Sequence, residues 1–470
     1  APTQAADTYT GKVKYTMVHP YTEEPLQPQP ATSGCINYFA NASTAVGTMG
    51  CQDTREIDWS SCNTYTDHST ICVVDGNVID IDTLPRLDSY KTIQTLLASN
   101  YSRNDYGFAG WSDSFDYATN PNAKFYGPQE TVTFSEDALA GGLSLYAVWI
   151  KSEGSIQDQS KVASVCNSLT TAPTDGTANL TSVSALTDQR DNNTYAIAKL
   201  ADGNCWMIEN LRLDSTAAHN SDGTFAQGYG TSATYGNFGG LADAESTNFS
   251  NSTAANSLYY SGTQEGTASI DIGTSNNPGY RMPRYNNLNT TNRATNPTSN
   301  TFPENNTTGG MYSYGNYYTW HAAIADLTYN DTNNQSTTET SLCPAGWHLP
   351  KGGNKSNEAN NELWSLVVDG INEGTKPANY DSSTTPYYTG TPEGSDASNK
   401  LRAYPNNFLY SGYFGDSVAY YRGSRGYYWS STTYDNYYSY RLLLYSSLVS
   451  PGTSNYNKYY GYRIRCTVGS

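Results

Sequence analysis

Ala196-Ile197-Ala198-Lys199-Leu200 and Cys205-Trp206-Met207-Ile208 stand on either side of Asp202-Gly203-Asn204. The flanks are apolar and the centre is turn chemistry, so the stretch predicts a β-hairpin. Downstream, Gly346-Trp347-His348-Leu349-Pro350 predicts a strand entering a helix whose apolar face is Leu363, Trp364 and Val367, an i, i+1, i+4 set. Further apolar strings at Tyr317-Tyr318-Thr319-Trp320, at Leu363 to Val368 and from 410 to the end supply a core for a block spanning 160–470. Its middle, 214–310, is nearly pure Ser, Thr, Asn, Gly and Ala, which predicts long loops over a scaffold or disorder.

Two blocks precede it. Residues 1–90 hold Cys35, Cys51, Cys62 and Cys72 between two alternating runs, Lys12 to Val18 and Val73 to Ile81, which read as strands; Asp75-Gly76 or Gly76-Asn77 marks a hairpin turn. Four cysteines allow three pairings, and all three stay open. Residues 90–151 carry a short helical stretch, Ser89 to Leu97, then Tyr106-Gly107-Phe108-Ala109-Gly110-Trp111-Ser112 and Leu143-Ser144-Leu145-Tyr146-Ala147-Val148-Trp149.

That last pair of strings resembles the internalin-type B repeat, also called the Listeria/Bacteroides repeat. The resemblance implies a small β-grasp-like module, a mixed sheet on one helix, with Trp111 and Trp149 in its core and Lys12 to Val18 as its opening strand. Four ordered strings in 160–470 resemble the domain named for the major paralogous proteins of Fibrobacter succinogenes (FISUMP). They are Thr187 to Tyr195 leading into Asp202 to Leu211, then Tyr317 to Trp320, then Cys343 to Pro350, and finally Tyr428-Trp429-Ser430-Ser431 closing on Gly461-Tyr462-Arg463-Ile464-Arg465-Cys466. This second resemblance implies secretion and a C-type-lectin-like fold with no assigned activity. The expected fold class is therefore α+β and β-rich, a C-type-lectin-like C-terminal domain after a β-grasp-like module with a cysteine-containing N-terminal insertion.

The eight cysteines include no Cys-x-x-Cys pair, so disulfides and an oxidising compartment are expected. Cysteines flank the FISUMP-like strings, and we expect Cys166 with Cys205 and Cys343 with Cys466, since no other partner in that domain remains. The polar segment Lys151 to Val165 predicts two separately folded cores. No apolar run is long enough to span a bilayer, so no direct membrane insertion is expected, and the opening Ala1 to Ala6 reads as a mature end.

Charged residues make up 15% of the chain, against about 25% in an ordinary globular domain. The net charge of −17 argues against nucleic acid as a partner. The five histidines show no metal-ligand spacing and no nucleophile-elbow string occurs, so no enzyme is expected. The Glu-Pro-Asn, Gln-Pro-Asp and Trp-Asn-Asp strings of calcium-dependent sugar-binding lectins are missing, which leaves no cofactor expected and calcium open only through scattered acids such as Asp416 and Asp435.

Fifteen tyrosines lie between 410 and 462, interleaved with Ser, Asn, Gly and Arg as in a binding loop. Buried phenols need partners, so many of these should be exposed. The expected contacts are Tyr434, Tyr437, Tyr438, Tyr440, Tyr456 and Tyr459. The function so read is that of a bacterial cell-surface adhesin, extracellular, taking a protein or glycan ligand on another cell. The alternative is a structural subunit of a filament or surface layer that binds copies of itself, with Ala1 to Thr10 adding to a neighbour's sheet edge.

Overall fold

The computed structural model describes most of residues 31–212 and 336–469, together with 280–281 and 317–324. Lys12 to Val18, the arm Ala1 to Thr10, Asp416, Tyr459 and all of 214–310 except Tyr280 and Arg281 lie outside the described residues. The chain is mixed α+β and strand-rich, with several sheets and few helices.

The N-terminal sheet runs in the order Phe125–Tyr126, Tyr106–Ser112, Leu143–Lys151, Cys35–Phe39, Gln52–Asp53. Cys35–Phe39 lies parallel to Leu143–Lys151, so a strand from the cysteine-containing stretch completes the module. A bridge from Cys35 to Cys51 ties that strand to the segment leading into its antiparallel neighbour. The short helix Glu136–Gly141 begins at Ser135, whose side chain accepts the Ala138 N–H, and ends at Gly142 with φ +85°. A Cβ at Gly142 would stand 2.3 Å from the Thr32 carbonyl, so only glycine allows this exit. Trp111 is fully buried and donates its indole N–H to Leu97 O at 2.8 Å, whereas Trp149 is half-buried and donates to Ala40 O at 2.7 Å.

The segment Ser89 to Leu97 is not helical. It forms the ends of two strands, Arg86–Tyr90 and Ile93–Thr95, the second pairing with Thr131–Thr133. Thr92, Ile93 and Thr95 are β-branched, and the burial alternates, Ile93 being 56% exposed while Gln94 and Leu96 are buried; an available partner strand decides such a short window. The strands of the other expected hairpin are paired, Ser69–Val74 with Asn77–Ile79 and Val74 opposite Asn77, while Asp75 and Gly76 lie outside the described residues.

In the C-terminal part, the predicted hairpin is Thr194–Lys199 with Cys205–Met207, and Gly203 at its tip has φ +82°. It sits in a four-stranded sheet between Val183–Thr187 and Thr467–Val468, so the start and the end of this region share one sheet. Gly346 to Pro350 contributes only a bridge between His348 and Thr467 rather than a full strand. The helix after it is formed as expected: Asn361 caps Glu362–Trp364, the turn widens into a π-helix over Ser365–Ile371, and Leu363, Trp364 and Val367 are all buried.

A six-stranded sheet follows, in the order Tyr388–Thr389, Leu448–Asn457, Tyr438–Tyr445, Arg425–Thr433, Ser411–Gly415, Val418–Arg422. One of its faces supplies Tyr428, Leu442, Leu444 and Val449 to a cluster with the π-helix and the helix Glu393–Arg402; the other supplies Tyr427 and Trp429 to a second cluster with Tyr318, Trp320, Tyr462 and Ile464. Bridges join Cys166 to Cys205 and Cys343 to Cys466, as expected. Cys62 is also disulfide-bonded, and no described cysteine is free.

Two arginines of the C-terminal part are buried with their partners. Arg190 and Asp188 form an ion pair at 2.7 Å with both side chains wholly buried, and Arg190 Nη1 also donates to Leu342 O at 2.7 Å. Arg465 holds four acceptors, Asn210 Oδ1 and the carbonyls of Met207, Asn406 and Asn407, which sews the last strand to two distant segments. Burial lowers the Arg465 pKa to about 10, still far enough above neutrality to keep it charged.

The N-terminal sheet keeps a core of its own, with Ile36, Phe108, Trp111, Leu139 and Leu145, but its other face joins the C-terminal part. Ala109 and Val148 of the N-terminal sheet belong to the same apolar cluster as Val183, Ala196 and Trp206. A Cβ on Gly107 would lie 3.1 Å from Ala185 Cβ and 3.2 Å from Ala196 N, and the Phe125 ring meets Tyr404 edge-on at 5.0 Å. Small residues let two sheet faces approach closely without a long apolar run, and so the polar link at 151–165 did not reveal the union.

Candidate functional site

The strand Arg425–Thr433 alternates, as every strand must, so Arg425, Tyr427 and Trp429 share one face and Tyr428 takes the other. Register sets Tyr445 opposite Arg425, Leu443 opposite Tyr427 and Arg441 opposite Trp429. On the next strand Ser454 faces Arg441 and Tyr456 faces Ser439. The outer face of the sheet thus collects tyrosines and two arginines from successive strands.

Their rings form one contiguous group. Tyr413 packs against Tyr421, Tyr427 and Tyr460 at 5.9, 5.0 and 5.3 Å, Tyr456 against Tyr460 at 5.1 Å, and Tyr462 lies 4.2 Å from Trp429. Trp429, Tyr427 and Tyr462 are the buried floor, while Tyr413, Tyr421, Tyr445 and Tyr456 are half-buried and form the rim. Burial raises the pKa of the Tyr427 phenol against the opposing pull of Arg441 and Arg425, and it raises that of Tyr462 much further. Both stay neutral donors and acceptors at physiological pH.

Arg441 is enclosed by this group. Its guanidinium carbon stands 4.4, 5.0 and 5.2 Å from the ring centres of Tyr456, Tyr427 and Tyr462; Nη1 donates to the Tyr462 hydroxyl and Nε to Ser454 Oγ at 3.5 Å. Arg425 lies over Tyr421 at 4.0 Å and Tyr445 at 5.1 Å, and is hydrogen-bonded to the Tyr427 hydroxyl. Neither arginine has a carboxylate within ion-pair distance among the described residues. Cation–π contacts of this kind contribute about 0.5–2 kcal/mol each and hold the side chains in place.

A rigid turn closes one end of the face. Asp435 Oδ1 accepts the N–H groups of Tyr437 and Tyr438, both at 2.7 Å, and its carbonyl accepts Thr433 Oγ1 at 2.8 Å and Lys458 Nζ at 2.6 Å. The carboxylate of Asp435 is therefore committed to the turn, and the positive charge beside it is the Lys458 ammonium. Among the described residues no group of three or more His, Cys, Asp or Glu is placed to hold a metal ion. This turn presents Tyr437, 55% exposed and the most open aromatic among the described residues.

The structure divides the expected contact set. Tyr437 and Tyr456 belong to the outer face or its end. Tyr440 does not: it is 1% exposed, on the opposite side of its strand from Arg441, with Tyr434 packed edge-on against it at 5.6 Å. Tyr434 and Tyr438 are half-buried, and by alternation Tyr438 follows Tyr440. Of the fifteen tyrosines expected to be largely open, Tyr413, Tyr421, Tyr434, Tyr437, Tyr438, Tyr445 and Tyr456 are at least partly exposed, while buried ones such as Tyr428 and Tyr410 find partners in main-chain carbonyls and other side chains. Tyr428 donates to Leu409 O at 2.9 Å and Tyr410 pairs with Ser398 Oγ at 2.7 Å. Sequence reasoning passed over Arg425, Arg441 and the ring of Tyr427. The signal was present as Arg425-x-Tyr427-x-Trp429, a period-two pattern that names a single face.

No protein-family model, curated protein or solved structure matches this chain. Its disulfides imply an oxidising compartment, and among the described residues no helix is long and apolar enough to cross a membrane.

Proposed function

We propose that the chain is a secreted bacterial cell-surface protein whose C-terminal part, a C-type-lectin-like domain of the FISUMP kind behind a B-repeat-like module, binds a ligand on another cell and performs no catalysis. The observation that carries the reading is the half-buried tyrosine rim around two guanidiniums that have no carboxylate in ion-pair range among the described residues, set on a sheet whose opposite face is packed. Aromatic rings held by neighbours lose little freedom on binding, and rigid strands beneath them keep the surface preorganised. A lectin-like fold is supported by the pairing of the hairpin strand Cys205–Met207 with the terminal strand Thr467–Val468 and by the bridge from Cys343 to Cys466. Secretion is supported by the disulfides and by a surface poor in charge.

The test is binding of labelled protein to a panel of bacterial and animal cells, with negative-stain imaging of the same preparation. Discrete particles that bind at least one cell type, and lose that binding at least tenfold in the Tyr437→Ala/Tyr456→Ala double variant, are expected. Ordered polymers with no cell binding would replace this reading with that of a filament or surface-layer subunit.

A further inference from the structure

We infer that the outer face recognises an acidic saccharide, its ring carboxylates held by Arg425 and Arg441 and its sugar rings laid on the tyrosine rim; this rests on the binding reading above. Charge is the first argument. In a chain of net charge −17 these two cations share one sheet face, about 13 Å apart along the strand direction by register, and neither is paired with an acid among the described residues. The Debye length at physiological salt is about 8 Å, so the overall negative charge does not cancel a pair of cations at close range.

Donor accounting is the second argument. Arg441 commits Nε to Ser454 and Nη1 to Tyr462, and its Nη2 has no hydrogen-bond partner among the described residues. That nitrogen is not among the buried, unpartnered atoms, so it reaches solvent even though the residue as a whole is only 7% exposed. A guanidinium fixed between three rings, with one donor pair open, is prepared for a carboxylate and loses little entropy on meeting it.

The shape of the face selects the scaffold that carries the carboxylate. In the C-terminal region Tyr437, 55% exposed, is the most open large apolar side chain among the described residues, and the rim offers flat, hydroxyl-edged rings rather than an aliphatic pocket. Peptide recognition usually seats apolar or aromatic anchors in pockets. A flat ring edged with hydroxyls instead matches a sugar, which has an apolar face and a hydroxylated perimeter.

The test is direct titration of the full chain with polygalacturonate, alginate and hyaluronate oligosaccharides and sialyl-lactose, the methyl esters of the same sugars, and a hexaglutamate peptide. Binding to at least one acidic sugar is expected, weakened at least tenfold by esterification and weakened further as salt is raised. Arg425→Gln, at a half-buried position, should lose at least tenfold while its circular dichroism spectrum shows the native fold retained. Arg441→Gln should also lose at least tenfold, and Arg425→Lys, which keeps the charge, should retain part of the affinity that Arg425→Gln loses, a comparison that stands even if the Arg441 variant folds poorly. Equal affinity for the ester, binding of the peptide alone, or no binding to any acidic sugar would each overturn the inference. The cell-binding assay decides separately whether the face binds at all.

Discussion

Tyr427 and Tyr428 are neighbours in sequence and lie on opposite faces of one sheet. Tyr428 is fully buried beneath the helices at 362–371 and 393–402, its hydroxyl given to the Leu409 carbonyl and its ring 5.0 Å from Phe408. Tyr427 lies on the side where tyrosines thin out into a half-buried rim and arginines stand among them. One face is a core and the other is a surface with a core beneath part of it. The lesson is that parity along the strand, rather than the number of tyrosines, decides which of them can touch a ligand.

The difference can be broken most severely from the inner side. Tyr428→Ala removes a buried ring and leaves the Leu409 carbonyl without its donor, and should cost about 3–5 kcal/mol in unfolding free energy. Denaturant titration checks it; a loss below about 1 kcal/mol would mean that the inner face is not packed as described.

The next effect comes from the bridge that anchors the segment covering the outer floor. Cys343 and Cys466 are 123 residues apart, and replacing both with Ser should cost about 2–5 kcal/mol. Because Tyr462 and Ile464 are held just before that bridge, near-ultraviolet circular dichroism should also weaken as Trp429 loses its fixed neighbour. A stable variant with an unchanged spectrum would show that the outer floor does not depend on the bridge.

A smaller effect separates the faces by pH. Asp202 closes the hairpin on the inner-face side, accepting from the Trp206 indole at 3.0 Å and from Asn204, and burial pushes its pKa up to about 6. The folded value lies above the unfolded one, near 3.9, so the fold favours the protonated acid. Its contribution is complete below about pH 4 and is lost as pH rises through about 6, by up to about 3 kcal/mol. Asp202→Asn should therefore gain stability relative to the parent as pH rises from 4 to 7. A stability difference between the two proteins that is constant over that range would contradict the assignment.

The smallest effect belongs to the outer turn. Tyr437→Ala should change stability by no more than about 0.5–1 kcal/mol, since an exposed ring leaves no cavity. Thermal unfolding of the single variant checks this, and a loss above about 2 kcal/mol would move Tyr437 into the core.

Much of this was readable in the chain. Asp202-Gly203-Asn204 announced its hairpin, the cysteines beside the quoted strings announced their two bridges, and Leu363, Trp364 and Val367 announced the helix face. The site was less readable, for identifiable reasons. Register shifts between Trp429 and Thr433 and between Arg441 and Leu443 interrupt the pairing, so sequence does not say which side Tyr440 takes relative to its neighbours across the sheet. The partner that satisfies Tyr428 is a main-chain carbonyl, which no residue type encodes. The small residues Gly107, Ala185 and Ala196 unite two sheets by close approach and leave no apolar run to read. Ser89 to Leu97 was too short for its period to overrule the strand partner at 131–133.

The central claim is that the outer face is open and engages the ligand while the inner face does neither. Tyrosine-selective chemical labelling of the intact protein, read residue by residue by peptide mass spectrometry with and without cells that bind it, tests both parts at once. The account predicts strong labelling of Tyr437, measurable labelling of Tyr456 and Tyr421, silence at Tyr428 and Tyr440, and loss of the outer labels on cell binding. Labelling of Tyr428 or Tyr440 in the native protein, or outer labels that persist undiminished when cells are bound, would contradict it.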